Sequence, residues 1–146
     1  MIRRLERSDY DQILDLLEQF SDLTGLFSNE DRDYDNVRRL LLRCERTGHS
    51  FVAQSDDRIV GVLLSIPVPD LWYPKILRLR EIAWFVLPEH RSQGWGEQLY
   101  KAYSLAAEQD LRQGRIRGYT MSELPTSPKI TYKGYRAVET TYLAGA

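Results

Sequence analysis

The apolar positions of the chain change period several times, and each change marks an element boundary. "IRRL", residues 2–5, reads as a short first strand. In "SDYDQILDLLEQF" the apolar residues Tyr10, Ile13, Leu14 and Leu17 recur at helical spacing, behind Ser8 as an N-cap and with acidic residues in the first turn. A loop through Gly25 and Asn29 leads to a second helical stripe, Val37, Leu40, Leu41 and Cys44, which Gly48 is placed to end. "SFVAQSDDRIVGVLLSI" then switches to two β-rich runs around residues 55–57, the pattern of a hairpin. The three prolines of "PVPDLWYP" remove ladder donors, which predicts a wide loop carrying exposed aromatics.

"KILRLREIAWFVL" follows as a long strand. "GEQLYKAYSLAAEQDLRQG" is a helix with Leu99, Ala102, Tyr103 and Ala106 on one face and Gly114 as its cap. "RIRGYTM" is a further strand, "SPKITYKG" one or two helical turns, and "YRAVETTYLA" a closing strand. The order is β-α-α-β-β-β-α-β-(α)-β. Three antiparallel strands followed by a β-α-β crossover predict an α/β (α+β) fold: a mixed, mostly antiparallel sheet with helices on both faces.

Composition narrows the function classes. A chain of 146 residues is expected to form one domain over residues 1–146. Its 20 basic and 21 acidic residues leave a formal net charge of -1, so no global field draws it to nucleic acid or membrane. Cys44 is the only cysteine, which excludes an intramolecular disulfide, and with two histidines no metal site is expected. The N-terminal "MIRRLERSDYDQ" lacks the apolar core of a signal peptide, and a cytoplasmic location is expected.

The stretch "VLPEHRSQGWGEQLY", residues 86–100, concentrates the chemistry. A strand running into a helix leaves the helix's first N–H groups unpaired beside a partial positive charge, which suits an anion. Gly94 and Gly96 let the backbone approach phosphate oxygens, while Arg91 and Ser92 add a charge and a hydroxyl. On spacing alone, a plain strand-to-helix turn explains the glycines equally well. Arg91-Ser92-Gln93-Gly94-Trp95-Gly96, directly behind "WFVLPEH", resembles the coenzyme A loop of the GNAT N-acetyltransferase superfamily: Gln or Arg, two residues, Gly, one residue, then Gly or Ala. The resemblance runs over nearly the whole chain, to the closing "KGY…E…Y", and is nearest to the compact phage and bacterial members.

The resemblance implies acetyl-CoA, or another short acyl-CoA, as cofactor. Backbone groups of Trp84, Phe85 and Val86 would pair with the pantetheine arm where the family splays its fourth and fifth strands. The amides of Ser92, Gln93, Gly94, Trp95, Gly96 and Glu97 would cradle the pyrophosphate. An amine nucleophile with a pKa of about 10.4 must lose a proton before attack, so the site needs a base. Glu81 resembles the strand glutamate that fills this role in some members. By strict alternation it shares a face with Leu77, Leu79, Ala83 and Phe85, where burial would raise its pKa; pairing with a neighbouring arginine is the competing reading. Family members often carry an acidic tyrosine four residues before the late glycine. Here that glycine is Gly134 and the position holds Ile130, so Tyr132, two residues back, is the catalytic candidate, against a packing role.

Glu139 and Tyr142 are candidates for the acceptor pocket from the last strand, or sheet-surface residues. Trp72 and Tyr73 suit an acceptor lid or a homodimer contact. His90 reads as a surface residue, and Cys44 as core, which favours direct transfer in a ternary complex over an acyl-cysteine route. The expected function is therefore N-acetylation of a small-molecule or protein amine. Two alternatives stand beside it: an acyl-CoA-binding module with weakened catalysis, and a related fold used in nucleobase modification. In the last, "RQGRIRG" and "RRLLLR" would face phosphates, against which the near-zero net charge weighs.

Overall fold

The computed structural model describes residues 1–25, 32–123, 134–138 and 144. Its elements follow the expected order: strand β1 (Ile2–Arg4), helices α1 (Tyr10–Thr24) and α2 (Tyr34–Thr47), strands β2 (Phe51–Ser55), β3 (Arg58–Pro69) and β4 (Leu77–Val86), helix α3 (Trp95–Arg112) and strand β5 (Gly118–Thr120). The sheet order is β1-β2-β3-β4-β5, antiparallel up to β4 and parallel between β4 and β5. The expected short helix lies outside the described residues except for Gly134. Of the closing strand, residues 135–138 carry no regular structure.

Local chemistry explains most of the boundaries. Asp33 caps α2 by accepting the Asn36 N–H at 2.8 Å, and Gly25 and Gly48 end α1 and α2 in the left-handed conformation. At α1 the N-cap residue is Asp9, not Ser8, and its side chain makes no cap hydrogen bond to the helix. A short 3-10 turn, Arg7–Asp9, precedes the helix; Asp9 accepts the Glu6 N–H at 2.9 Å and pairs with the Arg3 guanidinium at 2.7 Å. The Asp9 carboxylate therefore closes the 3-10 turn that leads into α1 and ties it to β1 through Arg3.

The prolines reverse one expectation. Pro67 and Pro69 lie within β3, opposite Leu79 and Leu77, and the loop shrinks to residues 70–76. They are tolerated because β2 pairs with β3 only as far as Leu63, so the outer part of β3 is an edge that needs no donor on that side.

The core lies on both sides of the sheet. On one face Phe20 of α1 meets the Phe85 ring at 5.5 Å, and α2 is fastened beside α1 by the Tyr10 hydroxyl donating to Glu45 at 2.5 Å. On the other face α3 buries Leu99, Tyr103 and Ala107. The His49 imidazole ties the α2–β2 turn to Asp110 of α3 at 2.9 Å. Among the described residues, no helix is long and apolar enough to cross a membrane.

Gly61 sets how closely α3 approaches. A Cβ there would stand 3.0 Å from a Val86 methyl, 3.2 Å from the Phe85 carbonyl oxygen and 3.3 Å from a Leu99 methyl. The carbonyl cannot yield without breaking its ladder. Gly61→Ala is expected to cost about 1–3 kcal/mol, read as a lower urea midpoint at unchanged slope; an unchanged midpoint would show that the sheet gives way there.

Candidate active site

β4 and β5 pair over only three positions, Arg78 with Gly118, Leu79 with Tyr119 and Arg80 with Thr120. Beyond Arg80, β4 has no ladder partner on its β5 side among the described residues. At this point β4 also carries an extra residue: Ser65 of β3 faces Glu81 while Leu64 faces Ala83, so Ile82 is a bulge. The bulge corrects the alternation drawn from the sequence. Glu81 shares a face with Leu77 and Leu79, but Ala83 and Phe85 have turned to the α1 side. Trp84 and Val86, paired with Leu63 and Gly61, fall on the α3 side with Glu81.

Glu81 is 5% exposed. Its Oε2 accepts the Ser122 N–H at 2.9 Å, so the side chain holds the segment after β5 where the ladder has stopped. Burial pushes its carboxyl up to about 7, against the lowering pull of Ser122 and the Arg80 charge. A carboxyl near neutrality accepts and releases protons at physiological pH. The competing sequence reading pairs the glutamate with an adjacent arginine; among the described residues Glu81 makes no ion pair, and the Arg78 guanidinium turns to Asp70 at 2.6 Å.

On the α3 side of the sheet stands a set of aromatic residues, of which the sequence reading named Trp84 and Tyr103 but not Tyr100, Tyr119 or Tyr135. Trp84 stacks on Tyr100 of α3 at 6.1 Å, Tyr103 meets Tyr119 edge-on at 5.9 Å, and Tyr119 meets Tyr135 at 5.5 Å. The Tyr103 hydroxyl donates to the Thr120 carbonyl at 3.0 Å. Burial lifts the phenols of Tyr103 and Tyr135 well above their ordinary value, with the Glu81 charge adding to the first and hydrogen bonding with Tyr100 and Tyr119 to the second. The available signal was Tyr100, one helical turn past Gly96 and one before Tyr103.

At the far end of β4 the glycine stretch forms a 3-10 turn, Pro88–Gln93, and then α3. Gly94 joins them at φ +78°, a conformation that favours glycine. Gly96 is different. A Cβ there would touch Trp84 and Val86 only at 3.8–3.9 Å, so packing against the described residues does not demand a glycine. The first intrahelical donor is Gln98, whose N–H reaches the Gly94 carbonyl at 3.1 Å, so the N–H groups of Trp95, Gly96 and Glu97 precede it at the positive end of the helix dipole.

The side chains of the turn are mostly engaged with one another. Arg91 folds back, its Nε donating to the Val86 carbonyl at 3.1 Å and its guanidinium standing 5.5 Å from the Phe85 ring centre. Gln93 accepts from the Trp95 indole at 2.9 Å, and His90 Nδ1 lies 3.3 Å from the same oxygen. Glu97 pairs with Lys101 at 2.7 Å, while Ser92 is exposed. What the turn presents to a ligand is therefore chiefly backbone.

The structure brings together Glu81, Trp84 and Val86 on one face, and Arg91 through Glu97 at the strand's end. It does not bring Trp72 and Tyr73 to Glu81: they lie in the β3–β4 turn, before the start of β4. Tyr132, Glu139 and Tyr142 lie outside the described residues. A cavity of about 330 Å³ bounded by Arg4, His49, Asp110 and Arg115 lies at the other end of α3 and contains neither Glu81 nor the glycine turn.

The comparisons with known proteins converge. Residues 10–121 match the model of the acetyltransferase (GNAT) family. No curated protein sequence matches the chain. Among solved structures, an acetyltransferase of Trypanosoma brucei superposes with a TM-score of 0.64 at 22% identity, covering 100% of this chain and 99% of that one. An aminoglycoside acetyltransferase from an uncultured soil metagenomic sample, in complex with sisomicin, gives 0.61 at 17% identity, with 95% and 96% covered. A predicted acetyltransferase from Clostridium acetobutylicum with acetyl-CoA gives 0.63 at 9% identity, with 90% and 95% covered.

The raised Glu81 pKa has a stability consequence. The folded state holds a proton between pH ~4.5 and about 7 that the unfolded chain releases. This contribution is fully present below the lower value and is lost as the pH rises through the upper one. Glu81→Gln keeps an oxygen for Ser122 and carries no charge. Its stability relative to the parent is expected to increase from pH 5 to pH 8 by up to a few kcal/mol, measured by urea unfolding at both values. A difference that stays constant with pH would show that Glu81 is not desolvated as described.

Proposed function

The chain belongs to the GNAT acetyltransferase family, and on that premise we propose that it moves the acetyl group of acetyl-CoA, or another short acyl group, to a primary amine by direct attack in a ternary complex. One observation carries the reading: a buried carboxylate stands where β4 and β5 part, and a helix start of bare backbone stands at the end of the same strand. The thioester supplies the acyl group and a thiol leaving group. In this reading the edge of β4 at Trp84 and Val86 that faces away from β3 pairs with the pantetheine arm, which takes the Val86 carbonyl over from the Arg91 Nε. The N–H groups of residues 92–97 hold the pyrophosphate, with Arg91 and Ser92 beside them. The dispensability of Gly96 for packing supports this, because a ligand then remains as the reason for a bare backbone.

Glu81 takes the proton of the incoming ammonium group, a role its pKa of about 7 supports. Tyr132 is assigned to return a proton to the departing sulfur, and Glu139 and Tyr142 to bind the acceptor. Cys44 is fully buried in α2 and burial pushes its thiol up to about 11, which disfavours an acyl-cysteine route.

Millimolar acetyl-CoA is expected to raise the melting temperature by several degrees; no shift would remove the cofactor. Thiol release over a panel of amines is expected to show turnover that falls about a hundredfold or more in Glu81→Gln, with loss of the rise in rate near pH 7. Binding without turnover for any amine would make the protein a coenzyme-binding module, and an undiminished mutant would remove Glu81 as the base.

A further inference from the structure

Leu71, Trp72 and Tyr73 are 87%, 80% and 64% exposed, three consecutive large apolar side chains at the tip of the β3–β4 turn. They are held there by a closed set of bonds. One oxygen of Asp70 accepts the N–H groups of Trp72 and Tyr73 at 3.0 and 3.2 Å, and the other is pinned by Arg78 at 2.6 Å. The Asp70 N–H reaches the Ile76 carbonyl at 2.9 Å, and the Ile76 N–H reaches the Tyr73 carbonyl at 2.8 Å. The backbone is therefore already ordered, and a partner docking on these side chains avoids the entropy of fixing it.

The surroundings of the turn state the partner's charge. Asp70 is the single carboxylate within residues 66–80 and 115–120, which also hold Lys75, Arg78, Arg80, Arg115 and Arg117. Asp70 is neutralised by Arg78, and Arg115 by Asp110. Lys75, Arg80 and Arg117 are exposed and have no ion-pair partner among the described residues. Arg117 is fixed at the root of the turn, its N–H donating to the Leu77 carbonyl at 2.8 Å. On a chain of net charge -1 this positive end is a local feature, complementary to an acidic partner.

Distance states the partner's size. Glu81 lies four residues along β4 from Leu77, about 13 Å, and the turn projects beyond Leu77. Turn and carboxylate are on the order of 15–20 Å apart, a span of five or six extended residues. A small amine cannot touch both; a polypeptide can. We propose that Leu71, Trp72 and Tyr73, with Lys75, Arg80 and Arg117, form a docking site for an acidic, apolar-containing segment of a polypeptide acceptor, remote from the point of acyl transfer. The word acceptor rests on the acetyltransferase reading above; the docking itself does not. Leu71, the most exposed of the three, offers an aliphatic contact that base stacking does not use, and this favours polypeptide over single-stranded nucleic acid.

The test uses the full chain without cofactor, so its failure is separate from any failure of acetyl-CoA binding. The probe is a fluorescein-labelled random copolymer of glutamate and tyrosine, followed by fluorescence anisotropy. The parent is expected to bind it with an affinity that weakens as salt is raised. Trp72→Ala, Leu71→Asn and Lys75→Glu are each expected to weaken binding at least tenfold at unchanged melting temperature. Absence of binding at millimolar probe, or binding that survives all three substitutions, overturns the proposal. So does tighter binding to poly-uridylate or to phosphatidylserine vesicles, or a dimer in sedimentation that Trp72→Ala dissolves.

Discussion

One residue of β4 without a partner in β3 governs the arrangement of the site. Because side chains alternate along a strand, inserting Ile82 turns every later residue to the other face. Without it, Glu81 would share its side with Ala83 and Phe85, under α1, and Trp84 would lie on the opposite side from the carboxylate. With it, Glu81, Trp84 and Val86 all look toward α3, where Tyr100 stacks on Trp84 and Tyr103 is buried close by. The bulge also falls just past the last position where β4 and β5 pair, so the change of face and the parting of the strands coincide.

Parting β4 from β5 leaves backbone donors and acceptors of β4 without a ladder partner among the described residues, a cost comparable to losing the hydrogen bonds themselves. Part of that cost is offset by Glu81, whose carboxylate takes the Ser122 N–H. Burying a carboxylate is itself unfavourable, and its raised pKa expresses that tension. A fold needing stability alone would close the ladder and place an apolar residue at position 81. Retention of an open strand edge beside a half-neutralised acid is the physical basis for assigning function to this spot.

Much of this was legible in the sequence, because helical stripes, glycine stops and a strand-to-helix glycine turn are local signals. The order of elements through β5, the capping of α2 and the position of Gly94 all follow from residues within a turn of one another. What could not be read depends on neighbours distant in the chain. Pro67 and Pro69 sit in a strand because β2 ends early and leaves them an edge. Asp9 displaces Ser8 at the start of α1 because Arg3 lies across from it. The face of Glu81 depends on a pairing shift against Ser65, and the aromatic set joins Tyr100 and Tyr119 with Tyr135 from another part of the chain. Arg91, placed by its motif beside a phosphate, turns back to the Val86 carbonyl because that acceptor has no ladder partner on the β5 side of β4 among the described residues.

The central claim is that the free edge of β4 and the bare helix start form one cofactor-binding surface. Amide hydrogen exchange, resolved by residue and recorded with and without acetyl-CoA, tests it most directly. The account predicts slowed exchange on cofactor addition in two separate places, residues 84–86 and residues 94–97, with little change at residues 71–76. Protection absent from both places, or confined to the β3–β4 turn, would contradict it.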